Sequence, residues 1–231
     1  MRFETVVRII MKHSLLWKLL LPVCIVFLIG IVSLSLWIPN LLEKNAVEIA
    51  VQNAERTVQQ FKVLRGYYSK NVIKKVLSNG TIKPSVDHKG KEGFIPLPAT
   101  MIHDLSALLN DQGTSMKLYS KYPFPNRSNR TLDDFAKQAW QTLNKRPSET
   151  FFQSDVLNGM PIVRVAIADK MVSQVCVGCH NSIAGSPKTD WKVGDVRGVL
   201  EVNIPIEGII LKGRELSNTI AFSQAVLLIL L

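Results

Sequence analysis

The sequence has few of the residues on which most catalytic and metal sites depend. It contains three cysteines and four histidines in 231 residues, and one of the cysteines, Cys24, lies inside a long apolar run. The Gly-x-Ser-x-Gly and His-Glu-x-x-His motifs and the phosphate-binding loop are all absent. No internal repeat or low-complexity tract is present. These absences exclude the enzyme classes that those motifs serve, and we expect no catalytic activity in this polypeptide.

The charge balance is basic, with 28 lysines and arginines against 18 acidic residues and a net charge of +10. Such an excess often indicates a nucleic-acid-binding protein. Here the basic residues are spread along the chain rather than massed in one stripe, and the chain also carries a membrane-length apolar run. This pattern is typical of a solvated surface near anionic lipid. We therefore predict a membrane partner and no nucleic acid.

A long stretch without charge lies between Lys18 and Glu43. It is long enough to cross the roughly 30 Å hydrocarbon core as a helix, and Trp17 and Trp37 lie at its ends, where indole rings favour the interface. A cleaved signal peptide would need a shorter apolar region and a small-residue cleavage site, and SLWIPNLLEKN offers no such site. We predict a transmembrane helix over residues 16–39.

A second apolar segment covers residues 214–231 and ends in AVLLILL. The tail after Glu215 is short for the roughly twenty residues that a span needs. We interpret it as the start of a truncated second transmembrane helix, the alternative being a half-embedded C-terminus. Between the two apolar segments, residues 40–213 form one domain outside the membrane. Residues 1–15 form an N-terminal tail with more basic than acidic residues, which favours a cytoplasmic location.

Apolar residues recur at spacings of four and three from Val47 to Val72, which predicts one long amphipathic helix. Asn40 and Glu43, directly after Pro39, have the spacing of a helix cap and predict its start. The apolar stripe can pack on the domain's own sheet or pair with a second copy of the chain as a coiled coil. A homodimer is therefore one expectation.

The rest of the domain alternates between helical and strand patterns. A loop is predicted over 78–98, followed by a helix over 99–110 with Met101, Leu105, Leu108 and Leu109 on one face and a strand over 115–120. The next helix is capped by Thr131 and Asp134 and ends before Pro147. Strands over 151–156 and 160–168, joined by an Asn158-Gly159 turn, then precede a loop with the cysteines and a strand over 198–206. This order predicts an α+β domain in which helices flank an antiparallel sheet.

The segment VCVGCHN, residues 175–181, contains the Cys-x-x-Cys-His pattern of c-type haem attachment. Two thiols separated by two residues can reach the two vinyl groups on one edge of a porphyrin and form thioethers. The adjacent histidine then reaches one axial position of the iron. The sequence therefore predicts one covalent haem c, attached through Cys176 and Cys179 and ligated by His180.

Other uses of the two cysteines fit less well. A structural zinc site needs four ligands, and the third cysteine, Cys24, lies in the membrane segment. A thioredoxin-like pair would lie between a strand and a helix of a βαβ unit, and a disulfide between Cys176 and Cys179 would close a small, strained ring. Haem attachment by this motif takes place outside the cytoplasm, so we expect the domain to face the periplasm from the bacterial cytoplasmic membrane.

The second axial ligand of the iron is open at this stage. His103 has the right chemistry and is one candidate, and an open coordination position is another option. The further candidates are Met101, Met160, Met171 and Tyr68. Several basic residues near the motif could pair with the haem propionates. These are Arg164, Lys170, Lys188, Lys192 and Arg197.

With these residues in view, the chain resembles the c-type haem PAS-like sensor domains in the periplasmic parts of bacterial histidine kinases, chemoreceptors and nucleotide cyclases. The resemblance runs through RGYYSKNVIKKV, GFIPLPATMIHDLS, LYSKYPFPNRSNR, DDFAKQAW, IADKM, CVGCHNS and SPKTDWKVGDVRGVLEV. It implies a PAS-like sheet with the long helix alongside, and an input module between two membrane helices. Some relatives use a cysteine on the long helix as the distal ligand, and this chain has none there.

Two functions follow. The first is a sensor, in which the redox state of the iron or a bound diatomic gas changes the packing of the long helix and signals to a cytoplasmic output module or partner protein. The signatures of kinase, cyclase and chemoreceptor output modules are absent from this chain. The alternative is a membrane-anchored monohaem electron carrier. A gene fragment that retains the domain but transmits nothing is a third interpretation.

Overall fold

The computed structural model describes residues 2–109 and 115–230, which form six α-helices and six β-strands. The helices are α1 (Arg2–Tyr68), α2 (Lys74–Asn79), α3 (Pro98–Leu109), α4 (Asp134–Lys145), α5 (Gln174–Ser182) and α6 (Glu207–Leu230). The strands are β1 (Lys83–Ser85), β2 (Phe94–Pro96), β3 (Ser115–Tyr119), β4 (Thr150–Leu157), β5 (Met160–Lys170) and β6 (Val196–Pro205). A π-helical turn (Ser69–Ile73) follows α1, and a 3-10 turn (Pro125–Arg127) precedes α4.

The chain divides into two compact units. One contains the helical residues up to Ala46 together with those from Glu207, and the other is Val47–Ile206. In the first unit, α1 is long and apolar enough to cross a membrane, and no residue of its most apolar window is buried. Exposed apolar side chains such as Val26 and Ile29 suit a lipid environment better than water. The helix is therefore a candidate membrane anchor, as the sequence predicts.

The predicted helix start at Asn40 is wrong. The helix α1 runs without interruption through Pro39, and Asn40 donates a hydrogen bond from its side-chain Nδ2 to the carbonyl of Leu36 at 3.1 Å. Proline removes one backbone hydrogen-bond donor. The residues on both sides of Pro39 favour helix, and the missing hydrogen bond therefore does not end the helix. An asparagine inside a helix can bond to the carbonyl four residues earlier instead of capping.

The second unit is built on a four-stranded antiparallel sheet with the strand order β3-β6-β5-β4. The predicted hairpin is confirmed, since Asn158 and Gly159 have φ values of 52° and 80° between β4 and β5. Positive φ at both positions is the geometry of the type I′ turn. On β3, Met116 and Leu118 are buried, as their alternation predicts. The unit is of the α+β class.

The core lies between α4 and the sheet. Phe135, Ala139 and Leu143 on α4 pack in one cluster with residues of the sheet such as Ala166 and Val199. These three residues lie on the apolar face of the helix.

The cap of α4 differs from the prediction. It is Asp133 rather than Thr131, since the Asp133 carboxylate accepts a hydrogen bond from the backbone N–H of Ala136 at 2.9 Å.

Two further expectations need correction. On α3, Thr100 and Ile102 are buried, whereas Leu108 is 72% exposed, so the buried face is rotated from the predicted one. The segment 78–98, predicted as a loop, contains β1 and β2, which pair in parallel. Runs of three residues flanked by glycine and proline are too short for a periodicity signal.

Candidate haem-attachment site

The cysteine segment is a helix, α5, and not the predicted loop. Ser173 caps it by accepting a hydrogen bond from the backbone N–H of Cys176. Residues three and four positions apart share one face of a helix, so Cys176, Cys179 and His180 project from the same side. The helix therefore presents two thiols and an imidazole together.

Both thiols are free, and neither forms a disulfide. Cys179 is exposed and Cys176 is half-buried. Although Cys179 as a whole is exposed, its sulfur is partly shielded from water. This shielding, with the neighbouring Cys176, raises the pKa of the Cys179 thiol and keeps it protonated at neutral pH. Among residues 2–109 and 115–230, no group of three or more His, Cys, Asp or Glu side chains is arranged to hold a metal ion.

His180 lies between an arginine and an aromatic ring. The Nε atom of Arg197 is 3.0 Å from Nε2 of His180 and 3.3 Å from its Nδ1. The ring centroids of His180 and Phe124 are 5.7 Å apart. Burial, followed by the positive charge of Arg197, lowers the pKa of His180 to about 4. The imidazole is therefore neutral at physiological pH, which is the form that binds a metal.

A buried ion pair connects the strand before α5 with the long helix. Asp169 on β5 accepts hydrogen bonds from both terminal nitrogens of Arg65 on α1, one of them at 3.0 Å. One turn earlier on α1, Lys62 Nζ donates to the carbonyl of Ala168 at 2.9 Å. The long helix is thus fixed to the end of β5, four residues before the helix that carries the cysteines.

The candidates for the second axial ligand lie in different surroundings. Tyr68 is engaged, since its hydroxyl donates to the carbonyl of Pro96 at 2.8 Å. Met160 is at the opposite end of β5 from α5, and a strand of that length spans about 30 Å. Met171 is fully buried, and Met101 is half-buried. Thioethers at such positions are ordinary core filler.

His103 on α3 differs from the other candidates. Its Nε2 atom is buried and has no hydrogen-bond partner among the described residues. Burial, with the positive charges of Arg127, Arg130 and Arg197, lowers the pKa of His103 to about 3. An unpartnered buried nitrogen is costly, and a neutral imidazole is a ready ligand for iron. Arg197 is close enough to influence both His103 and His180.

The basic residues proposed as propionate partners separate into two groups. Arg164 is engaged with acids, since it pairs with Glu201 and Asp133, each at 2.8 Å. Lys188 pairs with Asp190. Arg197 faces the attachment motif and has no such partner in the described part of the chain. Arg127 lies near His103. It is not among the predicted propionate partners, and the arginine pair in NRSNR is the one sequence signal that pointed to it.

These residues fit a haem. The donor set contains two free thiols and a neutral imidazole on one helix face, a second neutral imidazole with an unpartnered nitrogen, and arginines that lack acidic partners. Thioether formation, axial ligation and propionate binding require these kinds of group. The fold and the site together define an α+β domain related to haem proteins, with a helix suited to anchor it in a membrane.

The chain belongs to the Tll0287-like family, whose model matches residues 43–205. This family is associated with c-type haem sensor domains. Neither the comparison with curated proteins nor the comparison with solved structures gives a match.

Proposed function

We propose that this chain carries one covalent haem c, attached through Cys176 and Cys179, with His180 as the proximal and His103 as the distal iron ligand. The observation that carries the proposal is the arrangement of two free thiols and a neutral imidazole on one face of α5. The buried, unpartnered Nε2 of His103 supports the second ligand. The haem, when bound, supplies a one-electron redox centre.

We propose further that the domain is a sensory input module of the bacterial cytoplasmic membrane, facing the periplasm, with a PAS-like sheet. Support comes from the family and from the helix α1, which extends from the candidate anchor to Arg65. A change of charge at the site acts on the side chains of Arg197 and Asp169. Because Asp169 is paired with Arg65, the change also acts on Arg65. The chain would pass this change to a cytoplasmic output module or partner protein and would have no enzymatic activity of its own.

Haem attachment is tested by expressing the chain with a cytochrome-maturation system. The expected product is coloured and heavier than the polypeptide by one haem. The variant carrying both Cys176→Ser and Cys179→Ser should have the bare polypeptide mass, and Cys24→Ser should keep the haem. A colourless wild-type protein at its bare mass would contradict the proposal.

Sensing is tested by hydrogen exchange of the haem-loaded protein in its oxidised and reduced states. A sensor should show a changed exchange rate in the part of α1 that contains Lys62 and Arg65. The alternative, an anchored electron carrier, is favoured by the exposure of Cys179, since an exposed thioether edge allows electron transfer to a partner. A carrier should show no change in α1 and rapid electron exchange with a soluble periplasmic cytochrome.

A further inference from the structure

Three arginines near the attachment helix have no acidic partner. The side chain of Arg127 makes no hydrogen bond or ion pair within residues 2–109 and 115–230. Among the described residues, Arg130 donates to the backbone carbonyl of Leu118 at 3.4 Å, and the guanidinium of Arg197 donates to His180 and to no acid. The arginine cluster, defined as Arg127, Arg130 and Arg197, is therefore a concentration of positive charge with no acid in ion-pair contact among the described residues; the charge of Asp169 acts on Arg197 from a longer distance.

The backbone holds the cluster together. The 3-10 turn (Pro125–Arg127) is closed by the bond from Arg127 N–H to the carbonyl of Phe124 at 2.8 Å, and Arg130 N–H bonds back to the carbonyl of Arg127 at 3.3 Å. The Phe124 ring packs near His180, and the Arg197 guanidinium is 6.0 Å from the centre of the same ring. The turn thus brings two arginines from the chain before α4 towards the arginine on β6.

The same turn also contacts the segment after α5. A Cβ added at Gly185 would lie 3.6 Å from Cγ of Pro125. The cluster and the attachment helix therefore border one region of the second unit.

The clustering costs energy in the absence of an anion. Burial, followed by the charges of Arg130 and Arg197, lowers the pKa of Arg127 to about 10, so the guanidinium stays charged at neutral pH in surroundings that stabilise its charge less than water does. The nearest acid, Asp104, is already held by His88 at 3.3 Å and Lys89 at 2.9 Å. Arg65, which is also partly buried in this unit, is paired with Asp169. Charges in such positions are normally paired.

We propose that Arg127 and Arg197, with Arg130 at the rim, bind the carboxylates of an anionic ligand beside α5, and that the haem propionates are the source of those carboxylates. Guanidinium groups bind carboxylates through paired, charge-assisted hydrogen bonds. The cluster lies beside the histidine that would ligate the iron, and the propionates of a haem held there would need neutralising. This proposal rests on the proposed haem attachment and names the residues that orient the ring.

The test compares full-length, haem-loaded Arg127→Gln and Arg197→Lys proteins with wild type by redox titration. Arg127→Gln removes a positive charge that favours the reduced iron, so its reduction potential should fall while its haem content by mass stays at one. Arg197→Lys keeps the charge but loses the paired geometry, so its potential should fall less. The control is Lys137→Gln, at an exposed lysine on α4, whose potential should equal that of wild type.

The source of the anion is tested by thermal melting of the haem-loaded wild type with inorganic phosphate and with acetate. No rise in melting temperature is expected, because the propionates already occupy the cluster. A saturable rise that Arg127→Gln abolishes would assign the cluster to a free anion and overturn the propionate source. If wild type, Arg127→Gln and Arg197→Lys all carry haem and have the same reduction potential, this proposal alone is overturned. A wild type without haem would overturn the proposed function instead.

Discussion

Asp169 is 2% exposed and accepts hydrogen bonds from both terminal nitrogens of Arg65, a residue 104 positions earlier in the chain. Burial alone would raise the pKa of this carboxyl, but the charge and hydrogen bonds of Arg65 outweigh burial and lower it. The pair joins the long helix α1 to the strand that leads into the attachment helix.

Replacing Asp169 by Asn should destabilise the domain strongly, because it leaves the Arg65 guanidinium without its anion. Breaking a buried ion pair from one side costs about 3–5 kcal/mol. Urea denaturation followed by circular dichroism measures the change. Asp134→Asn is the matched control, since that carboxylate is exposed and pairs only with an exposed lysine, and it should change stability by less than about 1 kcal/mol. Equal effects of the two substitutions would contradict the structural role of the pair.

Asp169 should also make stability depend on acid pH. Its folded-state pKa is depressed, so its contribution is fully present above the pKa of an unfolded aspartate and is lost as pH falls through the lower folded-state value. Denaturation of wild type and Asp169→Asn between pH 7 and pH 2 tests this. The stability difference between the two proteins should be constant near neutrality and shrink at the acid end. A difference that is constant over the whole range would argue that Asp169 is not ionised in the folded protein.

The proposed ligation of iron by both His103 and His180 predicts a low-spin haem-loaded protein, and replacing His103 by Ala should then give a high-spin one. The physical reason is that the buried Nε2 of His103 has no other partner among the described residues. Absorption and electron paramagnetic resonance spectra of the oxidised protein report the spin state. Tyr68→Phe is the control, because the Tyr68 hydroxyl is already engaged with the carbonyl of Pro96. A low-spin spectrum that survives the loss of His103 would assign the position to another residue.

The core between α4 and the sheet predicts a plain stability difference between two leucines. Leu143 is completely buried on α4, whereas Leu108 is 72% exposed on α3. Leu143→Ala should cost about 2–5 kcal/mol, because it leaves a cavity that the neighbouring side chains cannot fill. Leu108→Ala should change the free energy of unfolding by about 0.5 kcal/mol or less. Urea denaturation of both variants measures the difference. Similar losses of stability would contradict the buried position of Leu143 or the exposed position of Leu108.

Local patterns predicted the elements whose physical cause is local. Asn158 and Gly159 form the hairpin turn because both accept positive φ, and Met116 and Leu118 are buried because their period matches one face of a strand. The cap of α4 has a cause that is not local. Thr131 was the predicted cap, but Asp133 is held by Arg164 at 2.8 Å through its second oxygen while the first caps the helix. A contact from β5 thus selected one capping residue over another.

The sequence by itself determined the candidate attachment motif and the candidate anchor, because Cys176, Cys179 and His180 are neighbours along the chain and residues 16–39 carry no charge except Lys18. It also determined the α+β class, since hydrophobic periods are local. Only the tertiary structure decided that Arg65 meets Asp169 and that Arg127 approaches Arg197. Pairings between distant side chains depend on how the sheet and helices pack, and no spacing along the chain encodes that packing.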